Sequence, residues 1–182
     1  MKATEGLRHW VWRSFLSQPA RAGLANSVLK RGYLWPSSLY YFTSCMEGYQ
    51  ALDVKDKVVV DIGADWGNSV VFWWLKGAKK VIAYEADRHC YGSLKTLVEQ
   101  GKVPLDFRGP WHGEYPKGDV LKIDCEGCES WFDLAMLSAY QQWAVALHQS
   151  KKVDTYGKGP ALEALGGKLV HEQPGERIYV KA

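Results

Sequence analysis

Carboxylates stand at or just beyond the ends of three apolar runs. Asp61 lies in Val58-Val-Val-Asp-Ile-Gly-Ala-Asp-Trp-Gly-Asn-Ser69, Glu85 closes Val81-Ile-Ala-Tyr, and Asp124 closes Val120-Leu-Lys-Ile. If these runs are buried parallel strands, ligands bind beyond their carboxyl ends, and the acids share one cleft. The first run passes directly into a Gly63-x-x-x-Gly67 turn and then an apolar helix. Gly63 allows the sharp turn, and Gly67 lets the helix start approach strand and ligand without a Cβ. This is not the Gly-x-Gly-x-x-Gly of dinucleotide sites, where bare amides at a helix start receive a pyrophosphate. Asp61 and Asp65 would repel that group and Trp66 would crowd it. They suit a ligand that bears an ammonium group and no phosphate, as S-adenosylmethionine does.

Glu85, 24 residues after Asp61, can accept both ribose hydroxyls of such a ligand. NAD sites share that geometry, so Glu85 discriminates only together with Asp61, Gly63 and Gly67 upstream; Ala64, Asp65 and Asn68 of the same turn are further cofactor-binding candidates. Glu129, near a helix start, is accounted for by the helix dipole. Glu126 has no such account and is the better functional candidate. His148 closes a further strand and points to the cleft rim, where a base can take a proton from an acceptor hydroxyl. A strand-end histidine with a satisfied ring is the equal alternative.

Asp61-Ile-Gly-Ala-x-x-Gly67 together with Leu121-Lys-Ile-Asp-x-Glu-Gly-x-Glu129 resembles the FkbM-type family of S-adenosylmethionine-dependent methyltransferases. The similarity covers roughly residues 58–149, and the second motif is the more specific. The resemblance implies a seven-stranded methyltransferase sheet, a hydroxyl oxygen as acceptor on a small molecule or glycan, and no metal. It places Asp61, Gly63, Ala64 and Gly67 on the methionine and ribose side, Glu85 on the ribose, and Asp124 near the methyl group. After the third strand, only Asp106 is available for the adenine amine, and Trp111 can stack on the ring instead.

Cys125-x-x-Cys128 has a metal or redox spacing, but Cys45 and Cys90 are isolated, so a four-ligand zinc site is not formed. The expected reading is a pair of buried, inert cysteines in place of small apolar residues. Residues 1–50 carry Lys2, Arg8, Arg13, Arg21, Lys30 and Arg31 against Glu5 and Glu47, and are rich in tryptophan and tyrosine. Such a segment can be an RNA- or DNA-binding surface, which makes a nucleic-acid methyltransferase the alternative. The favoured reading is a helical cover on the sheet, with Tyr40 and Tyr41 in a lid over the substrate. A non-catalytic cofactor-binding module is a further alternative, and an NAD-dependent oxidoreductase a distant one.

The positioning elements are legible in hydrophobic period. Strands are expected at residues 58–62, 81–85, 104–107, 120–124, 143–148, 168–172 and 177–181, with helices at 68–76, 90–100, 130–140 and 160–165. Ser130 and Asp133 have capping-box spacing for the third of these helices. The stretch from Phe107 to Val120 is a loop in place of a crossover helix, and Gln173-Pro-Gly-Glu176 is a turn that makes the last two strands an antiparallel hairpin. The expected fold is α/β: a seven-stranded, mostly parallel Rossmann-like sheet with helices on both faces. Residues 1–182 form one domain, with 1–55 the helical cover and 56–182 the catalytic core. A 47% hydrophobic, 24% charged chain of net charge +3 fits such a soluble domain and implies no polyanion partner by itself. The apolar runs are far shorter than the roughly 18 residues of a membrane span. No signal peptide is evident, so a reduced, cytoplasmic setting is expected.

Overall fold

The computed structural model describes residues 45–182. The expected N-terminal helices, the basic aromatic surface and the Tyr40–Tyr41 lid fall almost wholly outside them. Of the helical cover expected over residues 1–55, the described end contains a 3-10 helix, Cys45–Tyr49.

Seven strands form one sheet: β1 Val58–Ile62, β2 Lys80–Tyr84, β3 Leu105–Phe107, β4 Val120–Ile123, β5 Gln142–His148, β6 Lys168–Gln173 and β7 Glu176–Lys181. Their spatial order is β3-β2-β1-β4-β5-β7-β6. The first five pair in parallel, while β7 runs antiparallel to both β5 and β6. Order reverses between β1 and β4, which places the natural ligand crevice beyond their carboxyl ends.

Side chains along the central strands alternate between two cores, as the pleat requires. Val59, Val81, Ala83 and Val120 face α1 (Asn68–Leu75) and α2 (Tyr91–Gln100). Val60, Ile62, Tyr84 and Ile123 face the other side, packed with Trp111, Phe132, Tyr140 and Leu162 of α3 (Gly159–Ala164). Every residue of α1 is buried, as expected of a helix that is apolar on all sides. Its C-terminal Lys76 turns back so that Nζ donates to the carbonyls of Gln50 and Leu52.

The crossover from β3 to β4 is a loop, as its glycines and prolines imply. The helix expected over residues 130–140 is not formed as such. Two 3-10 segments, Cys128–Ser130 and Leu134–Ala139, replace it. Asp133 is extended and its carboxylate accepts from the Ala135 amide, so it starts a new turn where the capping box would have continued one. Phe132, Leu137 and Tyr140 are thereby buried in the second core. Among the described residues, no helix is long and apolar enough to cross a membrane.

Candidate functional site

A cavity of about 860 Å³ opens beyond the carboxyl ends of β1, β2, β4 and β5, a size within the range of small-molecule sites. Gly63, Ala64, Asp65, Asn68 and Glu85 line one end of it, and Asp124, Glu126 and His148 are also on its wall. Most of the sequence-expected residues are therefore brought together, with three exceptions, Asp61, Gly67 and Asp106.

The turn after β1 is made by backbone geometry. Gly63 has φ of +83°, and a Cβ there would stand 1.8 Å from the Asp124 carbonyl oxygen, so only glycine fits. The amides of Gly63 and Ala64 both donate to the Tyr84 carbonyl, which ties the turn to β2. Gly67, with φ of +85°, is the N-cap of α1 and shapes the cavity without lining it. Asp65 takes a left-handed φ of 49°, an unfavourable conformation for a residue with a Cβ that is found preferentially at functional sites. Glu85 receives the amides of Asp65 and Asp87, one on each oxygen, at 2.7 Å. Each oxygen keeps a lone pair for a ribose hydroxyl.

Two buried polar atoms at the start of α1, Asn68 Nδ2 and Ser69 Oγ, have no hydrogen-bond partner among the described residues. Both side chains are 4% exposed and line the cavity. Unpaired buried polar groups are costly, and these two stand at the positive end of a helix, where an anionic group is favoured.

Asp61 does not touch the cavity. It is fully buried, accepts from Trp73 Nε1 at 2.8 Å, and pairs with Lys122 Nζ at 3.1 Å. The expectation that Asp61 lines the ligand site is corrected accordingly: it touches Lys122 and Trp73, not the cavity wall. That lysine also donates to the Gly63 carbonyl and lies 3.7 Å from Asp124. Burial alone would depress its pKa, but Asp61 and Asp124 outweigh burial and keep it above the ordinary lysine value. Tyr49 completes the group, donating its hydroxyl to Asp124 at 2.9 Å.

Residues 124–129 form the acidic turn. Cys125 and Cys128 are disulfide-bonded, half-buried, and line the cavity, so they are not the inert buried thiols expected. Glu129 is fully buried and accepts the amides of Cys125 and Gly127 at 2.7 and 2.6 Å. Its role is to clamp this turn, which replaces the helix-dipole explanation. Burial raises its pKa, but the nearby His148 ring and the backbone amides of the turn win and hold it below the usual value. Glu126, held at φ of 51°, is exposed on the cavity wall.

His148 stands between two carboxylates, with Nε2 3.5 Å from Asp124 Oδ1 and Nδ1 3.2 Å from Glu129 Oε1. Burial would lower its pKa, yet these neighbours raise it above the ordinary imidazole value. Trp111 also lines the cavity and stacks on Trp131 with centroids 4.8 Å apart. Asp106 is turned away into pairs with Lys80 and Arg108 and does not reach the cavity wall.

Lys122 and Tyr49 were not singled out from sequence. Lys122 reads as one polar residue in an apolar strand, and its pairing with Asp61 exists only across the β1–β4 register.

No family model matches the chain. Uncharacterized protein 158B of Sulfolobus islandicus rod-shaped virus 1 is 40% identical over 104 residues, covering 55% of this chain and 66% of that protein. Among solved structures, a proposed RNA methyltransferase of Pyrococcus horikoshii superposes with a TM-score of 0.56 at 17% identity, over 91% of this chain and 96% of its own. Aeropyrum pernix fibrillarin with natively bound S-adenosyl-L-methionine gives 0.57 at 14% identity, over 76% and 72%. These likenesses establish the Rossmann-like methyltransferase fold. Uncharacterized protein 65 of Sulfolobus islandicus filamentous virus is 32% identical over 114 residues, which are 62% of this chain and 72% of that protein, and the chain belongs to its family.

Proposed function

We propose that the chain is an S-adenosylmethionine-dependent methyltransferase acting on a hydroxyl oxygen of a small molecule or glycan, in the manner of the FkbM-type enzymes that its two motifs resemble. The observation that carries this reading is a pair of buried donors, Asn68 Nδ2 and Ser69 Oγ, without a partner among the described residues, in one cavity with Glu85 and Asp124. The donors fit the cofactor's methionine carboxylate, Glu85 its ribose, and Asp124 the neighbourhood of its ammonium and methyl groups. The fold shared with cofactor-bound fibrillarin supports the same assignment.

In the transfer, an acceptor oxygen forms a bond to the methyl carbon as the sulfur–methyl bond breaks, and that electron pair returns to sulfur as a thioether. The sulfonium already activates the methyl group, so the protein's contribution is in-line positioning and removal of the hydroxyl proton. His148, set between Asp124 and Glu129 on the cavity wall, is placed to orient the acceptor hydroxyl. Glu126, exposed on the same wall, is the proton acceptor.

Calorimetric titration with S-adenosylhomocysteine tests the cofactor assignment. Wild type should bind, and Glu85→Ala and Asn68→Ala should each bind at least about tenfold more weakly, equivalent to roughly 1.4 kcal/mol. Failure of the wild type to bind, or binding of NADH in its place, would overturn the reading. Transfer of labelled methyl to hydroxyl-bearing acceptors, with RNA as the competing arm, then identifies the acceptor class.

A further inference from the structure

The wall between the ends of β4 and β5 collects more ligating groups than methyl transfer requires. Asp124 Oδ1 and His148 Nε2 are 3.5 Å apart, longer than a good hydrogen bond. Two donors each about 2.1 Å from one ion, at a tetrahedral angle, stand roughly 3.4 Å apart. On the far side of the ring, Nδ1 is buried and has no aligned hydrogen bond among the described residues, although Glu129 Oε1 is 3.2 Å away. Glu129 is itself fixed by two backbone amides. A buried carboxylate behind an imidazole whose other nitrogen faces a second carboxylate is the usual environment of a metal-bound histidine. Asp124, Glu129 and His148 can bring one donor atom each within 4.8 Å of the others. Glu176, from β7, lines the same cavity and adds a third carboxylate. The nearby cation, Lys122, is engaged by Asp61 and the Gly63 carbonyl and also lies 3.7 Å from Asp124 Oδ2, yet the carboxylates Asp124, Glu129 and Glu176 outnumber it at this wall.

We propose that Asp124 Oδ1 and His148 Nε2 ligate a divalent transition cation at the acceptor end of the cavity, with Glu129 orienting the imidazole and Glu176 at the open side of the coordination sphere. This departs from the metal-free site implied by the family resemblance. Imidazole together with carboxylates favours zinc or manganese over the harder calcium and magnesium. A cation here would act as a Lewis acid on the acceptor hydroxyl and ease loss of its proton to Glu126. That catalytic role rests on the O-methylation reading, whereas the binding site itself does not.

Manganese binding to the chelator-stripped full chain, followed by electron paramagnetic resonance of the free ion, tests the proposal. One ion per chain should bind, with zinc competing. His148→Ala, His148→Gln and Asp124→Asn should each weaken binding at least tenfold, while Glu163→Gln on the exposed side of α3 should match wild type. The His148 variants should still bind S-adenosylhomocysteine, which verifies their fold and separates failure of the cation site from failure of the cofactor assignment. No saturable binding by wild type, or equal binding by properly folded His148 and Asp124 variants, overturns the proposal.

Discussion

At the scale of single residues, the site depends on a charge group that never meets solvent. Lys122 is 1% exposed and Asp61 fully buried, and removing one member of such a pair leaves an uncompensated buried charge. Asp61→Ala should therefore destabilise the protein by about 3–5 kcal/mol, read from the shift of the urea midpoint. Any loss of cofactor affinity in that variant follows from loss of folded protein or a displaced Lys122, not from a lost contact. Glu85→Ala provides the contrast: Glu85 is half-buried at the cavity wall, so its loss should appear in binding far more than in stability. Gly63→Ala places a methyl against the Asp124 carbonyl in a left-handed backbone. It should cost on the order of 3 kcal/mol and be read in the same unfolding assay.

At the scale of elements, the turn of residues 124–129 is held from two sides. Glu129 takes two of its amides, and the Cys125–Cys128 disulfide closes it covalently. A cross-link around so short a loop restricts the unfolded chain by on the order of 2 kcal/mol in the chain-entropy model. Reduction, or Cys125→Ser with Cys128→Ser, should lower the unfolding free energy by about that amount, measured with and without dithiothreitol. The same turn explains why residues 130–140 do not form one continuous helix. Apolar spacing there fits a helix, but the preceding clamp and the Asp133 cap restart the chain in 3-10 geometry.

At the scale of the whole molecule, the second core is covered, among the described residues, by loop segments, 3-10 turns and the short helix α3. It is closed by Tyr140, which is 4% exposed and donates to the Pro116 carbonyl at 2.8 Å. Burial, reinforced by Tyr115 and Tyr84, raises its pKa from 10.0 to about 12. A raised folded-state value means that the folded chain holds this proton where the unfolded chain has released it. Its contribution to stability is thus full below pH 10 and lost as pH rises toward about 12. Denaturant titrations across that window should show falling stability, and Tyr140→Phe should flatten the slope. An unchanged slope in the variant would assign the alkaline limb to other groups.

The strands, the glycine turn and the acids at the strand ends were legible in the sequence, because apolar period and the steric freedom of glycine are properties of short segments. Asp65, Asn68, Glu85, Asp124, Glu126 and His148 were identified that way, and they meet at one cavity. The partition of the carboxylates was decided only by the tertiary structure. Asp61 and Asp124 occupy similar places in their motifs, yet one is sealed under Trp73 and Lys122 while the other faces the cavity. Tyr49 reaches Asp124 across 75 residues, and His148 acquires its two carboxylates from the neighbouring strand's turn. Such pairings depend on strand order and register, and the charge a group carries depends on what is buried beside it. Neither is a property of any local run of sequence.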